Sequence, residues 1–146
     1  MKLSKKLLSV AMALAIMLTL VPTEAFAQGE RGVARAGSSY KETVSGIRGK
    51  CDLEYYLFAI NGASQDSVVG RIDSNVSGTL TATVSITYRR TDGGTSTNTS
   101  APVTKVGLLC SATEYAGNAN ATTSNATLRY TSNGYGNGFR QLSGTY

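Results

Sequence analysis

Within residues 78–94, GTLTATVSITYRRTDGG, two kinds of side chain alternate strictly. Leu80, Ala82, Val84, Ile86 and Tyr88 hold one parity, and Thr81, Thr83, Ser85, Thr87 and Arg89 hold the other. A period of two sustained in β-branched residues describes a strand with one face on a core and the other toward water. Wound as a helix, the same apolar groups would scatter round the axis. Asp92-Gly93-Gly94 then supplies hairpin chemistry, because glycine reaches the positive φ that such turns need.

Other runs repeat the theme. Residues 51–60, CDLEYYLFAI, are apolar with Asp52 and Glu54 near the start, and they end at Asn61-Gly62, a second hairpin signal. Val106, Leu108, Cys110 and Ala112 share a parity and predict one buried face of a further strand. Cys51 has the parity of Leu53, Tyr55 and Leu57, so both cysteines are predicted to be buried. Shorter strands are expected at 67–72 and 126–131, with weaker ones at 43–48 and 139–142. No segment carries a helical stripe with caps, and 16 glycines among many Ser, Thr and Asn favour turns and strands. About seven or eight short strands separated by turn signals predict an all-β fold, a small antiparallel β-sandwich or small barrel.

The first 27 residues combine Lys2, Lys5 and Lys6, an apolar run over 7–21, and a close at Ala25-Phe26-Ala27. This is the pattern of a cleaved secretory signal peptide, of a style that looks bacterial and Gram-positive. Removal after Ala27 would leave a chain without a second apolar stretch of membrane-spanning length. Residues 28–40 are expected to form a flexible basic arm, 41–146 a single β-domain, and 116–125 (AGNANATTSN) a long loop. In the exported chain, whose two cysteines are Cys51 and Cys110, one disulfide between them is expected. Such a bridge would stabilise by about 4 kcal/mol on the chain-entropy model.

Charge is unevenly placed. Residues 28–50 hold Arg31, Arg35, Lys41, Arg48 and Lys50 against Glu30 and Glu42, whereas from Cys51 onward six cations face six acids. A neutral body with a basic arm is drawn to polyanions, so these five cations are candidate contacts for an anionic cell-wall polymer or a membrane surface. Nucleic acid is disfavoured, because one aromatic stands in the arm and no basic stripe continues into the body.

The chain has no histidine, which excludes a Ser-His-Asp triad, a Cys-His nucleophile and a Cys/His zinc site. Ser38-Ser39-Tyr40-Lys41 has the S-x-x-K spacing of penicillin-binding enzymes, but the accompanying K-T-G and S-D-N elements are missing from the sequence. Asp52 and Glu54 would share a strand face about 7 Å apart, as a general acid and base can, but so do acids on any solvated sheet. Asp66, Asp73 and Asp92 do not form a calcium-loop pattern. No enzyme activity and no cofactor are expected. The Thr81-Thr83-Ser85-Thr87 row resembles the hydroxyl rows that ice-binding proteins repeat over many strands, although this strand supplies only one such row.

Residues 131–141, TSNGYGNGFRQ, contain Tyr135-Gly136-Asn137-Gly138, which resembles the YGNG signature of pediocin-like antimicrobial peptides. That resemblance implies docking on a membrane sugar transporter. In that family the motif stands near the N-terminus and precedes a cysteine pair; here it stands near the C-terminus, no cysteine follows, and Phe139 replaces the aliphatic residue. As backbone chemistry, Asn133-Gly134 and Asn137-Gly138 predict a tight β-connection. Tyr135, Asn137 and Phe139 are the candidate binding-loop residues.

These features predict a small secreted, non-catalytic β-module with a binding or structural role at the bacterial cell surface or in the extracellular milieu. The alternatives are a secreted antibacterial or toxin-like protein, and a self-assembling surface protein in which residues 43–47 complete a neighbour's sheet. A homo-oligomer is compatible with these features.

Overall fold

The computed structural model describes residues 33–35 and 37–146; the leader, residues 28–32 with Arg31, and residue 36 lie outside the described residues. The regular elements are eight strands: β1 (Val33–Arg35), β2 (Ser39–Gly46), β3 (Gly49–Asn61), β4 (Ser67–Arg89), β5 (Thr95–Thr99), β6 (Val103–Tyr115), β7 (Ala121–Ser132) and β8 (Gly136–Thr145). The predicted all-β class holds, and all pairings are antiparallel.

The organising element is β4, one continuous strand of 23 residues. It joins two runs that the sequence presents as separate strands. Along one edge run β6 and, past Ser100-Ala101-Pro102, β5. At that break the Val84 N–H donates to Ser100 Oγ (3.1 Å) and the Ser100 N–H donates to the Val84 carbonyl (2.9 Å). Pro102, which lacks an N–H, sits where no ladder bond is lost. The opposite edge is shared, β3 lying along Ser67 to Ser74 and β7 along Thr79 to Tyr88.

Between Asp73 and Gly78 the register with β6 shifts. Extra residues on one strand bend it, and a bent strand can serve two layers. Layer one contains β1, β2, β3, the first half of β4 and the second half of β6. Layer two contains β5, the first half of β6, the second half of β4, β7 and β8. Their inner faces meet so closely that a Cβ on Gly70 would lie 2.5 Å from Val84 Cγ1 and 3.0 Å from the Ala126 Cβ. The strand has thus been folded over onto itself.

The core fills the space between the layers. Leu53, Tyr55 and Leu57 of β3, Ile72, Leu80, Val84 and Ile86 of β4, and Leu128 and Tyr130 of β7 are all essentially inaccessible. Burying nine such side chains supplies the main driving force for this fold. Each buried tyrosine keeps its hydroxyl bonded: Tyr55 donates to Glu42 Oε1 (2.6 Å) and Tyr130 to the Val76 carbonyl (3.1 Å). Burial raises the pKa of both phenols, and the Glu42 carboxylate adds to the effect at Tyr55.

At the corner away from β4, β2 approaches β8. The seam is fastened by Arg140 to Glu42 (3.0 Å), by Ser38 Oγ to the Ser143 carbonyl (3.0 Å) and by the Arg48 N–H to the Gly134 carbonyl (2.7 Å). The sandwich is thereby nearly closed into a barrel.

Several expectations are corrected. Cys51 and Cys110 are both buried free thiols, so the predicted disulfide is absent. They stand on β3 and β6, on opposite edges of β4. Two strand spacings, about 9.6 Å, already exceed the roughly 7 Å limit for Cα atoms that a bridge can join. Cys110 Sγ instead contacts the Val103 carbonyl (3.3 Å), and burial pushes its thiol pKa up. The expected common face of Val106, Leu108, Cys110 and Ala112 is broken. Val106 is 80 % exposed and Leu108 53 %, while Cys110 and Ala112 are buried. The register shift moves β6 by two residues while β4 advances by five, which reverses which parity of β6 points inward.

The segment predicted as a loop over 116–125 contributes Ala121 to Asn125 to β7. Within the predicted arm, Val33–Arg35 pairs with β3 as β1, and β2 begins at Ser39. Of residues 43–47, proposed as a donor strand for a neighbour, 43–46 already pair with Asp52 back to Gly49 of the same chain.

Candidate functional site

The predicted site residues fall in separate places. Arg31 lies outside the described residues, and Arg35 lies in β1. Lys41, on the outer face of β2, is paired with Glu54. That hydrogen bond, with a second from Tyr56, holds the Glu54 carboxyl below its ordinary pKa. Burial, then the neighbouring Glu54, raises Tyr56 to about 12. Arg48 and Lys50 are exposed on and beside the β2–β3 turn.

The Asp52–Glu54 pair is occupied structurally. Asp52 accepts from Thr43 (2.6 Å) and Asn75 (3.2 Å), and Glu54 is bound by Lys41 and Tyr56. Asp73 pairs with Arg71 and Asp92 with Arg90, and buried Asp66 accepts from the Gly62 and Ala121 N–H groups. Among the described residues no three His, Cys, Asp or Glu side chains come together as a metal group.

The candidate binding loop divides in two. Tyr135 is half-buried against the core, between Gly134 (φ 98°) and Gly136 (φ 101°), which carry the positive φ of the turn. Asn137 and Gly138 already belong to β8. Gly138 is needed for packing, because a Cβ there would collide with the Tyr55 hydroxyl and Leu53 Cδ1. Asn137 and Phe139 are exposed and point away from the core.

Their position reveals an extended polar surface, the outer face of layer two. The outward residues of the central strand are Thr79, Thr81, Thr83, Ser85 and Thr87. Opposite them on β7 stand Thr131, Arg129, Thr127, Asn125 and Thr123, and beyond these on β8 stand Asn137, Phe139, Gln141, Ser143 and Thr145. On the other side Thr97 and Thr99 of β5 and Thr104 of β6 extend the same rows. The hydroxyl row foreseen on β4 is therefore continued by hydroxyl and amide side chains on β7 and β8 and, beside β4, on β5 and β6, where the Thr79 row ends at Val106. At ordinary sheet spacings it covers about 14 Å by 27 Å, with side chains about 4.8 Å apart between strands and about 6.6 Å apart along them.

Three side-chain bonds order this lattice: Thr81 with Thr104 (3.1 Å), Thr87 with Thr97 (2.8 Å), and Ser143 donating to Asn125 Oδ1 (2.8 Å). None of the outward positions in these rows is acidic, whereas the outer face of layer one carries Asp52, Glu54 and Asp73. Arg129 is the cation within the rows, its guanidinium 4.7 Å from the centroid of the Phe139 ring. Phe139 is 46 % exposed. Around the edge of β8 the lattice continues into an open groove of about 640 Å³ at the seam with β2, lined by Ser38, Thr123, Ser143 and Thr145 among others.

A neutral array of groups that both donate and accept hydrogen bonds matches a ligand with the same dual character. An aromatic edge with a guanidinium beside it adds a stacking platform. The sequence signal for the second row was the parity of ATTSNATLRYTS, where Thr123, Asn125, Thr127, Arg129 and Thr131 alternate with Ser124, Ala126, Leu128 and Tyr130. No protein family, curated protein or solved structure matches this chain.

Proposed function

We propose that this protein is an exported, non-catalytic binding module of the bacterial cell surface or extracellular milieu, and that the outer face of layer two binds a polysaccharide. The observation that carries the reading is the lattice of hydroxyl and amide side chains across β4, β7 and β8, centred on Thr83 and Thr127, acid-free and edged by Phe139 and Arg129. Sugars present closely spaced hydroxyls in a flat outline. A rigid sheet face pre-ordered by its own side-chain bonds loses little entropy on meeting them. The basic residues of the N-terminal part add a salt-sensitive attraction when the polymer also carries charge.

The test is retention of purified protein on insoluble bacterial wall polysaccharide. Phe139→Ala and Thr127→Val are expected to weaken retention by about tenfold each, the scale of one lost stacking or hydrogen-bonding group. Neither contributes to the core, so thermal unfolding should change little. Retention unaltered by both substitutions would remove the face from the account.

A further inference from the structure

We propose that the end of the molecule at the β4 bend docks on an anionic lipid bilayer, with Ile47 entering the headgroup boundary and Arg48 and Lys50 meeting lipid phosphates. The polysaccharide reading concerns the outer face of layer two, whose Thr79 row ends at Val106 beside this end; the turn residues Ile47, Arg48 and Lys50 stand outside those rows.

Ile47 occupies the tip of the β2–β3 turn and is 95 % exposed. The turn is held firmly. The Arg48 N–H donates to the Gly134 carbonyl (2.7 Å), and a Cβ on Gly134 would come within 2.7 Å of the aliphatic part of Arg48. Two hairpin turns are thus packed together, and the isoleucine is projected outward by a rigid support.

The same end gathers further apolar surface. Just below the turn the Asp52 N–H donates to Asn75 Oδ1 (2.9 Å), which places the start of β3 beside the bend of β4. On the other flank of the bend Ser74 Oγ, which donates to the Val76 carbonyl (2.8 Å), lies 3.5 Å from the Leu108 carbonyl. Val106, Leu108 and Leu109 stand on β6 at its register shift beside the bend, Val106 opposite Thr79 and Leu109 opposite Asp73, and with Ile47 they make four of the six exposed large apolar side chains of the described residues. Scattered exposed hydrophobics are ordinary, but an almost fully exposed isoleucine at the tip of a braced turn, followed by Arg48 and Lys50, marks an interaction surface. Arg48, Lys50 and the exposed Lys105 stand among them, and the ion pairs of the described residues use other cations.

Charge and apolarity together select the partner. A soluble polyanion would use the cations and leave Ile47 in water. A bilayer with anionic headgroups uses both, the side chain below the phosphates and the cations among them.

The chain lacks tryptophan, so Ile47→Trp places a single reporter at the tip. Vesicles of phosphatidylcholine with about a third phosphatidylglycerol should shift its emission to the blue, and lipids brominated on the acyl chain should quench it. Arg48→Gln with Lys50→Gln should weaken vesicle binding by about thirtyfold, and Ile47→Asn by about tenfold, with unfolding unchanged because all three side chains are exposed. Equal binding of pure phosphatidylcholine vesicles would overturn the electrostatic part. Vesicle binding without an emission shift, or insensitive to Ile47→Asn, would assign the tip to polyanions in general and overturn the lipid assignment.

Discussion

Gly70→Ala tests the folding-over of β4 more sharply than any surface change. Gly70 and Val84 belong to one strand and are 14 residues apart, a separation that would span about 46 Å if the strand were straight. The bend instead brings them into contact, leaving 2.5 Å between a new Cβ and Val84 Cγ1 and 3.0 Å to the Ala126 Cβ. Overpacking of this kind costs about 1–3 kcal/mol. The usual gain from replacing a strand glycine, about 0.5–1 kcal/mol, offsets part of it. A net loss of about 1–2 kcal/mol should follow, with a melting temperature lower by about 4–8 °C per kcal/mol. Val84→Ala alone opens space in the core and should cost about 2 kcal/mol. In the double variant the methyl introduced at position 70 occupies the space that the Val84 methyls vacate. The combined loss, measured by urea unfolding followed by circular dichroism, should then fall short of the sum by about 1 kcal/mol or more. Additivity within about 0.5 kcal/mol would mean that the two residues do not touch, and the two-layer account would fail.

Three further outcomes follow from the same structure. The native protein should resist thiol alkylation, because both cysteines are buried and burial raises the Cys110 pKa; unfolded without reductant it should take up two equivalents, and none would mean a bridge. Glu54 has a lowered folded pKa, so its contribution is present above the ordinary carboxylate range and is lost as pH falls through the folded value. Lys41→Met should move the Glu54 titration, followed by carboxyl NMR shifts, back upward, with a stability change below about 0.5 kcal/mol because the pair is exposed. Tyr56 has the opposite sign: its phenol is raised to about 12, so stability should decline as pH climbs from about 10 through 12, and Tyr56→Phe should reduce that decline.

Much of the fold was legible because local alternation and burial agree. The strict period of residues 80–89, the hairpin at Asp92-Gly93-Gly94 and the inward parity of Leu53, Tyr55 and Leu57 all stand in the structure. The bend of β4 was not legible, since an irregularity between Asp73 and Gly78 depends on which strands lie along each edge. That irregularity turns Val106 outward, while β3 and β6, lying on opposite edges of β4, keep the cysteines apart. Ala121 to Asn125 read as a loop because Thr, Ser and Asn are common in turns; here they are strand residues held by β4 on one side and β8 on the other. The candidate face was visible strand by strand as hydroxyl parity. Its extent required the register that sets Thr83 beside Thr127 and Thr127 beside Gln141. For TSNGYGNGFRQ the structure separates two roles: Tyr135 is packed inward, while Phe139 stands on the open face.

The most direct measurement of the binding claim is an amide chemical-shift map of the labelled protein titrated with soluble fragments of bacterial wall polysaccharide. Perturbations should be saturable and confined to the outward rows of β4, β7 and β8, strongest near Thr81, Thr127, Arg129 and Phe139. Saturable shifts clustered instead on the outer face of layer one, around Glu54, Tyr56 and Arg71, or no shifts at all, would contradict it.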